Sequence, residues 1–141
     1  MLSKSCEYAI RAVLYLSINS TEDNKISIKT IAAELKIPAS FLSKILQKLV
    51  KYKLIFSSKG NTGGFYVDEQ INRQPIIAIV EIIDGLKSFQ KCSMGLKQCS
   101  HKKPCALHNS FQKSRNEMLN TLKKTSIMEM SFNVTSGFAS I

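Results

Sequence analysis

Three cysteines and a histidine lie within seventeen residues of this 141-residue chain. Cys92, Cys99, Cys105 and His108 are separated by six, five and two residues. Thiolates and imidazoles bind zinc, and both also hold iron–sulfur clusters. Chance burial of these thiols fits poorly, because the segment around them is polar and rich in lysine. The sequence therefore predicts a metal centre with these four residues as ligands.

The spacing of the four donors leaves the metal open. Three thiolates and one imidazole satisfy tetrahedral zinc, although structural zinc sites usually take their ligands in close C-x₂₋₄-C pairs. Wider gaps let one loop surround a bulkier group, such as an iron–sulfur cluster. His101 lies in the same segment, but it fits the spacing less well. Nearby lysines would favour thiolates and offset an anionic cluster; they are Lys87, Lys91, Lys97, Lys102 and Lys103.

The fourth cysteine, Cys6, falls on the apolar stripe of a predicted first helix, so we expect a buried core thiol. Glu7 beside it would offer an oxygen ligand to a neighbouring subunit, with little support from spacing alone. Disulfides are not expected, because the chain shows no secretion signal. No apolar run reaches the roughly 18 residues of a membrane span. The expected location is the cytoplasm, without a membrane partner.

The net charge of +10 points to an anionic partner. No acidic residue lies between Glu34 and Asp68, while six lysines do: Lys36, Lys44, Lys48, Lys51, Lys53 and Lys59. A solvated basic face would explain the charge equally well, so the local structure has to decide. An enzyme is not expected, because the chain has neither a nucleophile–base pair nor a phosphate-binding loop.

The apolar spacing predicts three helices in the first third of the chain, over about 2–18, from Ser27 to Leu35, and from Pro38 to Lys51. Two strands follow, Leu54–Phe56 and Phe65–Val67, joined by a glycine-rich turn. Two helices in a tight turn followed by a hairpin form a winged helix-turn-helix. The predicted fold is mainly α with a small β-hairpin.

The rest of the chain predicts a short helix from Pro75 to Asp84 and a longer amphipathic one from Cys105 to Lys124. An exposed amphipathic helix at the end of a small domain needs a partner, most simply its copy in a second subunit. The predicted organisation is a winged helix-turn-helix domain over 1–86, a cysteine-rich cluster-binding loop over 87–105, a dimerisation helix over 106–125 and a flexible tail over 126–141.

The outer face of the third helix predicts contacts with double-stranded DNA. Polar residues near the start of such a helix reach base edges in the major groove, and Lys44 suits guanine while Gln47 suits adenine. Ser40 serves equally well as a helix cap, and Phe41 is expected in the core. The predicted DNA-binding residues are Ser40, Ser43, Lys44, Gln47, Lys48 and Lys59, of which the last two suit phosphates.

Several segments together resemble the Rrf-type winged-helix transcription regulators, the family that includes IscR and NsrR. They are Leu2–Ala12, Ile26–Ala32, Phe41–Leu49, Gly63–Phe65, Ile79–Gly85 and the three-cysteine loop. The resemblance covers about residues 1–125, and the joint order of these motifs is highly specific.

The resemblance implies a homodimeric repressor or activator that binds a palindromic promoter operator and senses iron–sulfur status, nitric oxide or redox state. Family members hold the cluster with three loop cysteines, which match Cys92, Cys99 and Cys105. The IscR type adds a histidine that matches His108 and a two-iron cluster, which is slightly preferred. The NsrR type adds a carboxylate that matches Glu7 and a four-iron cluster.

Some positions depart from the family. The better-known members have a five-residue first cysteine gap, an arginine and a proline in the wing, and, in the IscR type, glutamate where Ser43 stands. Two alternatives remain open: a winged-helix regulator switched by zinc or cysteine oxidation, and a small iron–sulfur carrier protein. The carrier would leave the helix-turn-helix without a role.

Overall fold

The computed structural model describes residues 2–141 as a mainly helical fold with one two-stranded hairpin, which confirms the predicted fold class. A 3₁₀ turn at Leu86–Phe89 follows the fifth helix. In chain order the elements are α1 Lys4–Asn19, α2 Ile28–Leu35, α3 Ala39–Lys51, β1 Phe56–Ser58, β2 Gly64–Tyr66, α4 Glu69–Asn72, α5 Ile77–Ile83, α6 His108–Lys124 and α7 Ile127–Thr135.

Side-chain caps fix where the first two helices begin. The Ser3 hydroxyl accepts a hydrogen bond from the Cys6 amide at 3.1 Å, and Ser27 accepts one from the Thr30 amide at 3.2 Å. Each cap satisfies a backbone donor that lacks a partner in the first helical turn. Lys36 then ends α2 in the left-handed conformation. This turn brings α3 across α2 in the helix-turn-helix arrangement.

The main hydrophobic core lies between α1, α2, α3, α5 and the base of the hairpin. Its members recur at helical spacing, as the periodicity predicts. The largest side chains that are completely buried in this core are Leu16, Ile31, Leu42, Leu46, Leu49, Ile55, Ile76, Ile79 and Ile127.

The first strand of the hairpin begins at Phe56, two residues later than the sequence predicts. β1 and β2 pair antiparallel, with Phe56 opposite Tyr66 and Ser58 opposite Gly64. Leu54 and Ile55 instead run beneath the hairpin and are buried in the main core, because their apolar side chains gain more there than on an exposed ribbon.

Residues 126–141 contain a helix, so the prediction of a flexible tail is wrong for Ile127–Thr135. Ile127 is completely buried, and the Ser131 hydroxyl donates to the Ser17 hydroxyl of α1 at 2.7 Å. The Ser126 hydroxyl caps α7 by accepting from the Glu129 amide. The serine-rich composition suggested a loop, whereas these serines cap the helix and pair across α1.

A second, smaller core joins the start of the cysteine loop to α1 and α5. Cys6 and Val80 are completely buried in it, and Phe89 is nearly so. Met118 and Leu122 of α6 pack against this cluster. The prediction of a buried core thiol at Cys6 is confirmed. No helix within residues 2–141 combines the length and apolar character required to cross a membrane.

Candidate metal centre and nucleic-acid interface

The three loop cysteines converge on one point. The Sγ atoms of Cys92, Cys99 and Cys105 all lie within 4.8 Å of one another, and those of Cys92 and Cys105 are 3.8 Å apart. Two thiolates on one tetrahedral metal at about 2.3 Å would stand about 3.8 Å apart. All four cysteines within the described residues are free thiols. The spacing therefore suits a shared metal better than a disulfide.

His108 adds a nitrogen donor to this group. It is the first residue of α6, and its Nδ1 lies 3.1 Å from the Sγ of Cys99. Its Nε2 is buried and has no hydrogen-bond partner among residues 2–141. A buried polar nitrogen without a partner is costly, and a metal ion would satisfy it. The four donors thus fall into two pairs, Cys92 with Cys105 and Cys99 with His108. These residues fit a thiolate–imidazole centre.

Backbone amides tune the thiols of the loop. The amides of Leu96 and Met94 donate hydrogen bonds that lower the pKa of Cys92 to about 7, because they stabilise the thiolate. The Cys105 amide acts in the same sense on Cys99, yet desolvation and the neighbouring cysteines outweigh it and raise the pKa of Cys99. About half of Cys92 is therefore thiolate at neutral pH, and deprotonation of Cys99 is coupled to metal binding.

Two other candidate ligands lie outside the three-cysteine group. His101 is exposed, with its Nε2 3.1 Å from Nε2 of Gln112 and its ring edge-to-face with His108 at 5.1 Å. Glu7 is exposed on α1, where its carboxylate pairs with Lys4 at 2.8 Å. Within one chain, the structure brings His108 to the cysteines and pairs Glu7 elsewhere.

The outer face of α3 carries the predicted DNA-binding residues. Ser40, Lys44, Gln47 and Lys48 are exposed, and Ser43 is half-buried. The amide of Gln47 lies 3.5 Å from the Ser43 hydroxyl, so the two polar side chains meet on the helix surface. Ser40 does not cap α3, whose described first turn has no side-chain cap. Its hydroxyl is therefore available to a ligand.

In the wing, Lys59 is exposed next to Gly60, which has a φ of 103°. Any residue other than glycine at position 60 would be strained at that φ, so glycine suits the tip of the wing. Below the tip, a side chain at Gly64 would lie 2.7 Å from the carbonyl oxygen of Ile26. Glycine therefore lets the wing dock against the strand-like segment at Ile26, and Lys59 stands at the outer end.

The end of α5, directly before the cysteine loop, makes contacts with α3 and with the start of α1. The Lys48 ammonium donates to the carbonyl oxygen of Ile83 at 3.2 Å. The next residue, Asp84, accepts from the Ser3 amide at 2.8 Å and from the Ser3 hydroxyl. Ile83 and Asp84 end α5, directly before the segment that leads to Cys92. The end of α5 thus touches both α3 and the N-terminus of α1.

Phe41 is a surface residue that sequence reasoning expected in the core. Its side chain is 41% exposed on α3, with its ring edge-on to Tyr8 at a centroid distance of 5.8 Å. The spacing in the sequence could have indicated this surface position, since Phe41, Lys44 and Lys48 follow the i, i+3, i+7 rule of one helix face. Its hydrophobic side chain obscured that signal.

Comparison with known proteins identifies similar transcriptional regulators. The family described as "Rrf2: Iron-dependent Transcriptional regulator" matches residues 2–133. A putative HTH-type transcriptional regulator of Aquifex aeolicus is 27% identical over 132 residues, which cover 92% of this chain and 90% of that protein.

Two solved structures share the fold. CymR, the global cysteine regulator of B. subtilis, has a TM-score of 0.74 at 15% identity, covering 94% of this chain and 96% of its own. IscR of T. potens has a TM-score of 0.74 at 17% identity, covering 100% of this chain and 93% of its own. At these identities the likeness shows the winged-helix fold alone.

Proposed function

Because this chain belongs to the Rrf2 family of transcriptional regulators, we propose that it is a homodimer whose affinity for promoter DNA is controlled by an iron–sulfur cluster. Its relatives are transcriptional regulators and not enzymes, as the sequence predicts, and DNA binding follows from the family. The cluster ligands are Cys92, Cys99, Cys105 and His108. The observation that carries this proposal is the convergence of these donors in one exposed loop.

Two features favour a cluster over zinc. The gaps between the cysteines are wide, and the family description names iron. Two donor pairs suit a two-iron cluster, with one pair for each iron. We favour His108 over Glu7 of the partner subunit as fourth ligand, because Glu7 already pairs with Lys4. When bound, the cluster supplies a group that responds to redox state, nitric oxide or iron–sulfur supply.

The chain's own contacts provide a route from this loop to the DNA. When the donors hold a ligand, the loop between α5 and α6 is fixed at both ends. The end of α5 contacts α1 through Ser3 and α3 through Lys48. A change in the loop can therefore alter the position of α3. The size of the response equals the difference in DNA affinity between the two states of the loop.

Roles on the DNA side follow from the exposed face of α3. Ser40, Ser43, Lys44 and Gln47 read base edges in the major groove, and Lys48 and Lys59 bind phosphates. A two-fold dimer would read a palindromic operator. We expect the regulator to act in the cytoplasm, where bacterial-type promoters are accessible and cysteines stay reduced.

The dimer proposal rests on α6. None of the seventeen described residues of α6 is fully buried. Met118 and Leu122 face the second core, whereas Leu107 and Phe111 are exposed. Pairing α6 with its copy would cover those two side chains. In sedimentation experiments Phe111→Arg should weaken the dimer at least about tenfold, and Lys113→Gln on the opposite face should leave it intact. A monomeric wild type would contradict the dimer.

Purification without oxygen tests the cluster directly. We expect a brown protein with iron and acid-labile sulfide in equal amounts, two of each per chain for the two-iron form. His108→Ala should change the visible spectrum and speed cluster loss, while the matched variant His101→Ala should leave both unchanged. Stoichiometric zinc with no visible absorbance would contradict the cluster and leave DNA binding intact.

A further inference from the structure

A large aromatic side chain stands on the surface of α3 that we propose as the DNA-binding face. Phe41 is the third residue of α3 and is 41% exposed, whereas its neighbour Leu42 is completely buried. Phe41 shares its helix face with Lys44 and Lys48. A phenyl ring left in water forgoes the gain of burial, so an exposed one on a functional face calls for a partner.

Phe41 is held in place from behind. Its ring meets Tyr8 of α1 edge-on, with an interplanar angle of 87°. Tyr8 packs against the main core, and the Lys4 ammonium lies 5.5 Å from its ring centroid. Edge-to-face pairs of this kind are favourable in themselves. The exposed part of the Phe41 ring is therefore an apolar projection held in position, which loses little conformational entropy when it meets a ligand.

The surroundings of this ring select DNA over an apolar protein. Lys44 and Lys48 line the same small hollow as Phe41, together with Ser5 and Ile83. Lysine is depleted at the centre of protein interfaces, whereas it is favourable beside phosphates. The N-terminal residues of a recognition helix reach base edges, and the apolar group that B-DNA presents in the major groove is the C5-methyl of thymine.

We propose that Phe41 reads thymine, by packing the exposed part of its ring against the C5-methyl group at one position of each operator half-site. The inference goes beyond control by a cluster and rests only on α3 as the recognition helix. Polar neighbours such as Gln47 read other positions, and Phe41 supplies specificity without a hydrogen bond. It acts as a specificity residue, since its methyl partner is present in thymine and absent from uracil.

The test replaces single thymines by deoxyuridine. A high-affinity duplex is first selected from random DNA with the full-length protein, and each thymine is then changed in turn. Wild type should lose about fourfold in affinity at one symmetry-related position, the value of one buried methyl group, and about the square of that when both half-sites carry uracil. Phe41→Ala should bind thymine and uracil equally there.

Two further variants make the outcome decisive. Phe41→Leu keeps an apolar side chain and should retain part of the uracil penalty, while Gln47→Ala should retain all of it. A thermal melt confirms that each variant is folded. Equal binding of uracil by wild type at every position, or an unchanged penalty in Phe41→Ala, overturns the proposal. Failure to select any preferred duplex would instead count against sequence-specific DNA binding as well.

Discussion

Residues 2–86 and residues 87–125 of this protein are built on opposite principles. The first region contains nearly the whole hydrophobic core. Its charges are nearly balanced, with eleven basic and eight acidic residues. Within the described part of 87–125, Phe89 is the one buried hydrophobic residue, and nine basic residues stand against one acidic residue. The first region is thus held mainly by its own side chains, with a contribution from Ile127 of α7. In the proposed function, the second region depends on what its thiols bind and on a second subunit.

The cysteines express the same contrast. Cys6 is completely buried in the smaller core, and burial raises its pKa to about 12, with the charge of Asp84 acting in the same direction. Cys92 is half-buried in the loop, where the amides of Leu96 and Met94 lower its pKa to about 7. One thiol serves packing, and the other is prepared to act as a ligand.

Removing the loop thiols should give the largest difference between the two regions, because it abolishes metal binding and leaves the core intact. The triple variant Cys92→Ser, Cys99→Ser, Cys105→Ser should lose all bound iron, because no thiolate remains to hold it. The free energy of unfolding of the cofactor-free protein should change by less than about 1 kcal/mol, since the loop contributes little to the core. Metal analysis and chemical denaturation measure the two effects. A variant that fails to fold without cofactor would contradict the independence of the first region.

Thiol labelling should also distinguish the regions. At pH 7 about half of Cys92 is thiolate, and this fraction falls as the pH drops below 7 and saturates above about 8. Cys6 stays protonated and inaccessible. Iodoacetamide should therefore modify Cys92 at least about a hundredfold faster than Cys6 in reduced, metal-free protein, as peptide mass spectrometry would show. Comparable rates at the two sites would contradict the assigned environments.

A change in the main core should lower the stability of the fold and leave metal binding unchanged. Leu46 is completely buried in α3, so Leu46→Ala should lower the free energy of unfolding by about 2–5 kcal/mol through lost burial and a cavity. The metal content of the folded fraction should stay unchanged. Leu96→Ala is a matched control in the loop, where the side chain is 53% exposed, and should cost less than about 0.5 kcal/mol. If the two variants lost the same free energy of unfolding, the contrast between the main core and the loop would be contradicted.

Weakening the contact that holds the end of α5, directly before the second region, should produce the smallest effect. Asp84→Asn replaces the carboxylate that accepts from Ser3. The ratio of DNA affinities with and without cofactor should fall by about 1 kcal/mol, or roughly fivefold. Glu81→Gln removes a charge from an exposed position of the same helix and should leave the ratio unchanged. Fluorescence anisotropy with both forms of each variant gives the ratio. If both variants behave alike, the end of α5 is not the link.

Periodicity predicts the first region well, and it fails where tertiary contacts replace it. The apolar spacing of α1, α2 and α3 reflects one shared core, so their positions follow from the sequence. The hairpin shifts because Leu54 and Ile55 enter that core, and the alternation of so short a strand cannot reveal this. Helix α7 was not predicted because its packing depends on few apolar side chains, Ile127 and the partly buried Met130, and on a serine pair with α1.

For the candidate site, donor types and spacing predict the residues but not their arrangement. The pairing of Cys92 with Cys105 and of Cys99 with His108 depends on turns within a loop that lacks regular structure. The contacts of Lys48 and Asp84 join residues that are far apart in the chain, namely α3 with Ile83 and α1 with Asp84. Phe41 was misassigned because its side chain is hydrophobic, although its helix face is polar.

The most direct test of control by the loop is the affinity of one protein for one selected operator duplex, measured at constant salt with and without the cofactor. Anaerobically purified protein and the same preparation after chelation would be compared by fluorescence anisotropy, with the triple serine variant as a permanently cofactor-free reference. The two wild-type forms should differ at least about tenfold in dissociation constant, and chelated wild type should match the variant. Equal affinities for all three proteins would contradict control of DNA binding by the cysteine loop.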